Sequence, residues 1–150
     1  METIANRNTA TLLQLSALTQ YFIPLGNLIF PTLIWSVKKN ESEFVDYNGK
    51  QAVNFQLSLF LYSFVLAIVA IIIFVSTFLS NMNLIEKTDG EWIIEQFSLG
   101  NITMLTLIAV IAVFLILLLK TAELFLILYA AVKSNNGERF SFPLTIKFIK

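Results

Sequence analysis

PLGNLIFPTLIWSVKKNESEFVDYNGKQAVNFQLSLFLY, residues 24–62, sets two prolines in an apolar run, follows them with a short charged loop, and opens a second apolar run with polar side chains. A soluble domain would use such a stretch as core, and a membrane protein would use it as crossings. Composition decides between them. With 57% hydrophobic and 13% charged residues in 150 positions, the chain has too little polar surface to cover a soluble domain of this size. It is expected to lie in a lipid bilayer.

Ten Lys and Arg balance ten Asp and Glu, so no overall field points to nucleic acid or to a strongly charged partner. There is no cysteine for a disulfide or thiolate site, and no histidine, the commonest metal ligand and general base. No catalytic residue, metal or cofactor is therefore assigned, and a non-enzymatic role is expected. The N-terminus METIANRNTA carries Glu2 before Arg7, and no small-residue cleavage pattern follows the apolar stretch. A cleaved signal peptide is not expected.

Two uncharged runs are long enough to span a bilayer, one at 51–80 and one from Asn101 to about Lys120, continuing to Val132 if its charges are tolerated. A third stretch, about 9–37, is interrupted by Pro24, Gly26 and Pro31. Proline removes a backbone donor and clashes with the preceding turn, so this segment is expected as one bent crossing broken at Pro24 and Pro31. The alternative splits it at Pro24 into two short arms, a re-entrant hairpin or a fourth segment. The fold class is thus an all-α integral membrane protein, a bundle of three to four transmembrane segments at about 9–37, 51–80 and 101–132.

Positive charge sets the orientation. Lys38, Lys39 and Lys50 lie in the first loop, and Lys133, Arg139, Lys147 and Lys150 in the C-terminal tail, whereas 81–100 has Lys87 against Glu86, Asp89, Glu91 and Glu95. The 38–50 loop and the C-terminus are expected on the cytoplasmic side of the inner membrane, and the acidic loop on the other side. If the first segment crosses once, the N-terminus lies outside.

Lys120 and Glu123 interrupt the last apolar run. Two charges at a helix centre oppose insertion by about 6 kcal/mol, and the Leu, Ile, Val and Phe between Ile102 and Val132 favour it by roughly 6–11 kcal/mol. Three residues apart on one helix, the two can pair. Levelling the cytoplasmic ends of the two long helices puts Lys120 near Ser63 and Glu123 near Phe60, beside the stripe Gln51, Asn54, Ser58 and Tyr62. Asn54, Ser58, Tyr62, Lys120 and Glu123 are therefore expected to form one intramembrane polar cluster. Hydrogen-bonded glue between helices is the favoured role over a pathway or ligand site, with Glu123 the member suited to function.

Other motifs are weaker. Gly49-Lys50 lacks the upstream glycine and following Ser or Thr of a phosphate-binding loop, Phe44 and Gln51 standing there. Asn40-Glu-Ser42 and Asn101-Ile-Thr103 fit a sequon short enough to arise by chance. Glu43 and Asp46, with Asn136, Gly137, Glu138 and Pro143, form a candidate cytoplasmic partner surface. After Gly137, a helix stop, Phe140, Phe142, Leu144, Ile146 and Phe148 alternate with polar or proline positions, which suits an interfacial tail at 138–150.

Four pieces of this sequence form a pattern: Pro31 with Trp35, the acidic loop Glu43 to Asp46, the helix start Ala52 to Gln56, and Asn136 to Thr145. Their combination resembles a family of small bacterial integral membrane proteins of unknown function, distantly related to the Tic membrane component of chloroplast protein import. Members often carry histidine in the first segment and before the Asn-Phe-Gln helix start, where this chain has Gln14 and Asn48. Any role of those histidines does not transfer, and Lys120 and Glu123 fall outside the pattern. The resemblance implies three or four membrane segments and raises protein translocation as a setting. The expected function is a small subunit or scaffold of a membrane assembly, in contact with lipid and with other membrane proteins or further copies of itself. An oligomeric small-solute or ion pathway is the alternative.

Overall fold

The computed structural model describes the backbone of residues 2–87 and 104–150, whose regular secondary structure is helical, with no strand among these residues. Helix α1 runs Ile4–Ser16 and continues as a 3₁₀ turn, Ala17–Tyr21. Helices α2 (Gly26–Lys38), α3 (Glu43–Lys87) and α4 (Met104–Asn135) follow. Local chemistry explains the ends. Thr3 accepts a hydrogen bond from Asn6 N (3.1 Å) at the start of α1, and Ser42 Oγ accepts from Val45 N (3.1 Å) at the start of α3. Helix α4 stops at Gly137, whose φ of +79° lets Gly137 N reach Ser134 O (3.0 Å) and Glu138 N reach Lys133 O (2.9 Å).

Two of these helices are long and apolar enough to cross a membrane, α3 within Glu43–Ser76 and α4 within Val110–Asn135. The expected segments 51–80 and 101–132 fall on them, positions 101–103 lying outside the described residues. The acidic stretch beyond Lys87, with Asp89, Glu91, Trp92 and Glu95, also lies outside them.

The stretch 9–37 differs from the single bent crossing expected. Helices α1 and α2 are separate and pack against each other, joined through Phe22–Leu25, with Leu25 in the left-handed region (φ 60°). Each has 13 residues, about 20 Å against a hydrocarbon core of about 30 Å. Pro24 sits in the turn, as the sequence suggests. Pro31 breaks nothing, lying buried inside α2. The turn closes tightly because Gly26 has no Cβ, which would meet Thr19 Oγ1 at 2.6 Å.

The chain divides into two compact units, Met1–Leu61 with Leu119–Lys150, and Tyr62–Leu118. In the first, the opening turns of α3 form the spine, with Phe44, Val45, Ala52, Val53 and Phe55 buried together with Leu13 of α1 and Ile127 of α4. Polar contacts give the directions. Helix α1 runs antiparallel to α4, Arg7 Nη1 donating to Asn135 O and Gln20 Nε2 to Glu123 Oε1. Helix α2 runs antiparallel to α3, Asn27 Nδ2 donating to Gln56 Oε1 and Trp35 Nε1 to Asp46 Oδ1. The α1–α2 hairpin thus begins and ends at the end of this unit where α3 starts and α4 stops.

In the second unit no described side chain is fully buried. Ile71, Ile72 and Phe74 of α3 and Val110, Phe114 and Leu117 of α4 are all exposed. An apolar surface of this extent is stable only against lipid or another apolar partner.

Candidate functional site

Glu123 is the most enclosed charge described, its side chain 1% exposed. Lys120, one turn earlier on α4, is 45% exposed and its Nζ lies 2.8 Å from Glu123 Oε2. The other carboxylate oxygen accepts from Gln20 Nε2 at 2.8 Å, and Lys120 Nζ donates back to Gln20 Oε1 at 3.0 Å. The three side chains close a ring in which both carboxylate oxygens and both amide heteroatoms are engaged. Burial of a carboxylate is tolerated because each lone-pair direction used meets a donor. Gln20 reaches the pair because the 3₁₀ turn carries it to the far end of the hairpin. Beyond it stand Tyr21, Phe22 (86% exposed), Ile23 and Leu25, an apolar tip.

Of the five residues expected to cluster, Lys120 and Glu123 pair with each other, while Asn54 and Ser58 hydrogen-bond elsewhere. Asn54 and Ser58, both buried, meet the C-terminal tail rather than Lys120 and Glu123. Asn54 Nδ2 donates to Ile149 O (2.9 Å) and Asn54 Oδ1 accepts from Ile149 N (2.8 Å), a two-point reading of one residue's backbone. Ser58 Oγ accepts from Ile146 N (2.8 Å) and donates to Asn54 O (2.7 Å). Tyr62 belongs to the second unit. The 3- and 4-residue spacing does align Asn54 and Ser58, but periodicity carries no information about which segment covers a face.

The tail departs from an interfacial strand for the same reason. Phe142 is buried, stacked on Phe55 with ring centroids 4.2 Å apart, and Phe140 packs edge-on against Tyr129. Leu144, at φ 55°, breaks the alternation. Irregular backbone needs internal partners when withdrawn from water, and Asn54 and Ser58 supply them.

The candidate partner surface is drawn together in part. Glu43 pairs with Arg139 (2.9 Å), whose guanidinium lies over the Tyr47 ring, and Glu138 pairs with Lys133. Asp46 holds Lys50 (2.7 Å) and Trp35 (2.9 Å). Asn136 and Gly137 form the α4 stop, and Pro143 is exposed in the tail beside Phe142. The acids are spent on tying elements together rather than left free.

Several partners escaped the sequence reading, namely Gln20, Asn27 with Gln56, and Ser134 with Asn48. For Gln20 and Asn27 the signal was the set of amides scattered through the uncharged stretch 8–37. Gln14 and Asn48 also meet, Gln14 Nε2 donating to Asn48 O (3.4 Å) with both side chains buried. Among the described residues there is no group of three or more acidic, histidine or cysteine side chains placed to hold a metal ion.

No curated protein and no solved structure matches the chain. The expected relation to chloroplast import, and with it the translocation setting, finds no support. The pattern read at Pro31, Trp35, Ala52 to Gln56 and Asn136 to Thr145 does lie within a family match extending over residues 5–149, and by that match this small helical protein belongs to the magnetosome magnetite crystal formation protein family.

Proposed function

We propose that the chain is a non-enzymatic subunit or scaffold of the magnetosome membrane, supporting the assembly in which magnetite crystals form. The family match over residues 5–149 carries this reading. The geometry supports it. Helices α3 and α4 supply apolar length for anchorage, and the described carboxylates of the first unit are committed to internal contacts with Asn6, Lys38, Arg139, Lys50, Lys120 and Lys133. A unit whose charges are spent on its own packing offers surfaces to neighbours rather than a reaction centre.

In this reading α3 and α4 cross the membrane and α1–α2 is a re-entrant hairpin whose apolar tip dips into lipid. The 38–50 loop, both chain termini and the α4 stop then share the cytoplasmic side. The test is deletion of the chain from a magnetite-forming cell, with crystal number and length measured by electron microscopy. Smaller or fewer crystals, restored by the wild-type chain recovered in the magnetosome fraction, are expected. Unchanged crystals, with the protein in another membrane, overturn the proposal.

A further inference from the structure

The seam between α1 and α4 is held unevenly. At the hairpin tip, Gln20 and Glu123 meet at 2.8 Å, but the contacts nearer the α4 stop, Thr11 Oγ1 to Ala131 O and Arg7 Nη1 to Asn135 O, are both at 3.5 Å. Between these ends lies a slot of about 300 Å³ lined by Thr11, Leu15, Leu128, Ala131, Val132 and Asn135. Its walls are apolar except at Thr11 and Asn135. The flanking Leu12 (61% exposed) and Val132 (58%) open it onto an apolar surface.

Arg7 stands at the mouth. Lys38, Lys50, Lys120, Lys133 and Arg139 each have a carboxylate partner, whereas Arg7 has no ion pair among the described residues and its enclosed Nε has no hydrogen-bond acceptor. The aliphatic stem of Arg7 lies against Gly137, where an added Cβ would come to 3.2 Å from Arg7 Cδ. A planar guanidinium anchored this way presents a fork suited to two-point phosphate binding. From Arg7 to Leu15 is eight residues of helix, about 12 Å, so the slot runs inward from the cation parallel to the helix axis.

We propose that this seam binds one anionic phospholipid, its phosphate on Arg7 and the first part of an acyl chain in the slot between Thr11, Leu15, Leu128 and Ala131. An apolar slot along the helices, ending in an unpaired arginine at the end where Lys133 and Arg139 also gather, matches a lipid of a negatively charged leaflet. The site serves to fill a seam that side chains leave open, and it holds whether or not the protein acts in crystal formation.

The test uses the full chain in mild detergent, offered phosphatidylglycerol or phosphatidylcholine with identical acyl chains, with retained lipid counted by native mass spectrometry. The wild type is expected to keep one phosphatidylglycerol in preference to phosphatidylcholine. Arg7→Gln is expected to lose that preference several-fold, Arg7→Lys to keep part of it, and Ala131→Leu, which fills the slot, to lose both lipids. If Ala131→Leu fails to fold, the Arg7 pair still decides. No retained lipid on the wild type, an unchanged preference in Arg7→Gln, or displacement of the lipid by inorganic phosphate would each overturn the proposal.

Discussion

At the residue scale the ring of Gln20, Lys120 and Glu123 shows how one buried carboxylate is made tolerable. Replacing Glu123 by alanine leaves the Gln20 amide and one Lys120 donor without an acceptor, and the expected loss is about 1–3 kcal/mol. Glu123→Gln is expected to cost less, because an amide oxygen still accepts from Gln20 or Lys120. Thermal unfolding of both variants in detergent checks the order, and equal losses would contradict it. Gly49 is a second sensitive point. A Cβ there would run into Trp35 Cδ1, displacing the indole that donates to Asp46. Gly49→Ala is expected to cost about 1–3 kcal/mol as an overpacking change, visible as a lower thermal midpoint. Neither partner was legible in the sequence. Lys120 and Glu123 could be paired from their spacing, but Gln20 is a hundred residues away and only the hairpin turn brings it there.

Proline reads differently at the element scale depending on what surrounds it. Pro24 marks the break between α1 and α2, as its effect on the backbone requires, whereas Pro31 lies buried within α2 and the helix runs through it. The consequence is topological. In this cysteine-free chain, single cysteines replacing Ala5 and Asn40, both exposed, are expected to react with a membrane-impermeant thiol reagent from the same side. Reaction from opposite sides would restore the single bent crossing. The tail makes a second element-scale case, since its backbone is held by Asn54 and Ser58 and its ring stack by Phe55. Asn54→Ala removes both contacts to Ile149, and the expected outcome is faster amide exchange over 144–150 with helix content retained. Unaltered exchange would mean that the Phe55–Phe142 stack alone docks the tail.

The whole molecule divides its apolar residues by environment. The side chains that are buried gather in the first unit around the start of α3, and those of the second face outward. Outward-facing Ile, Val, Leu and Phe on long helices need lipid, so the protein is expected to stay in the membrane pellet after alkaline carbonate extraction and to require detergent for release. Recovery in the carbonate supernatant would contradict the reading of α3 and α4 as anchors.

Composition and periodicity by themselves indicated a membrane-associated protein, its two long apolar helices and the interruption at Pro24. These follow from transfer energies and local backbone sterics, which any window of sequence carries. The combination of short motifs at the two ends was likewise enough to indicate a small bacterial membrane family. What covers each polar face depended on tertiary structure. Asn54 and Ser58 share a helix face in any register, yet the tail rather than Lys120 and Glu123 lies on it, and Gln20 completes the charged ring only because the chain reverses at Phe22–Leu25. Contacts between residues distant in sequence depend on the path of the backbone, and hydrogen bonding to a main-chain group, as at Ile146 and Ile149, leaves no mark on the identity of the residue that makes it.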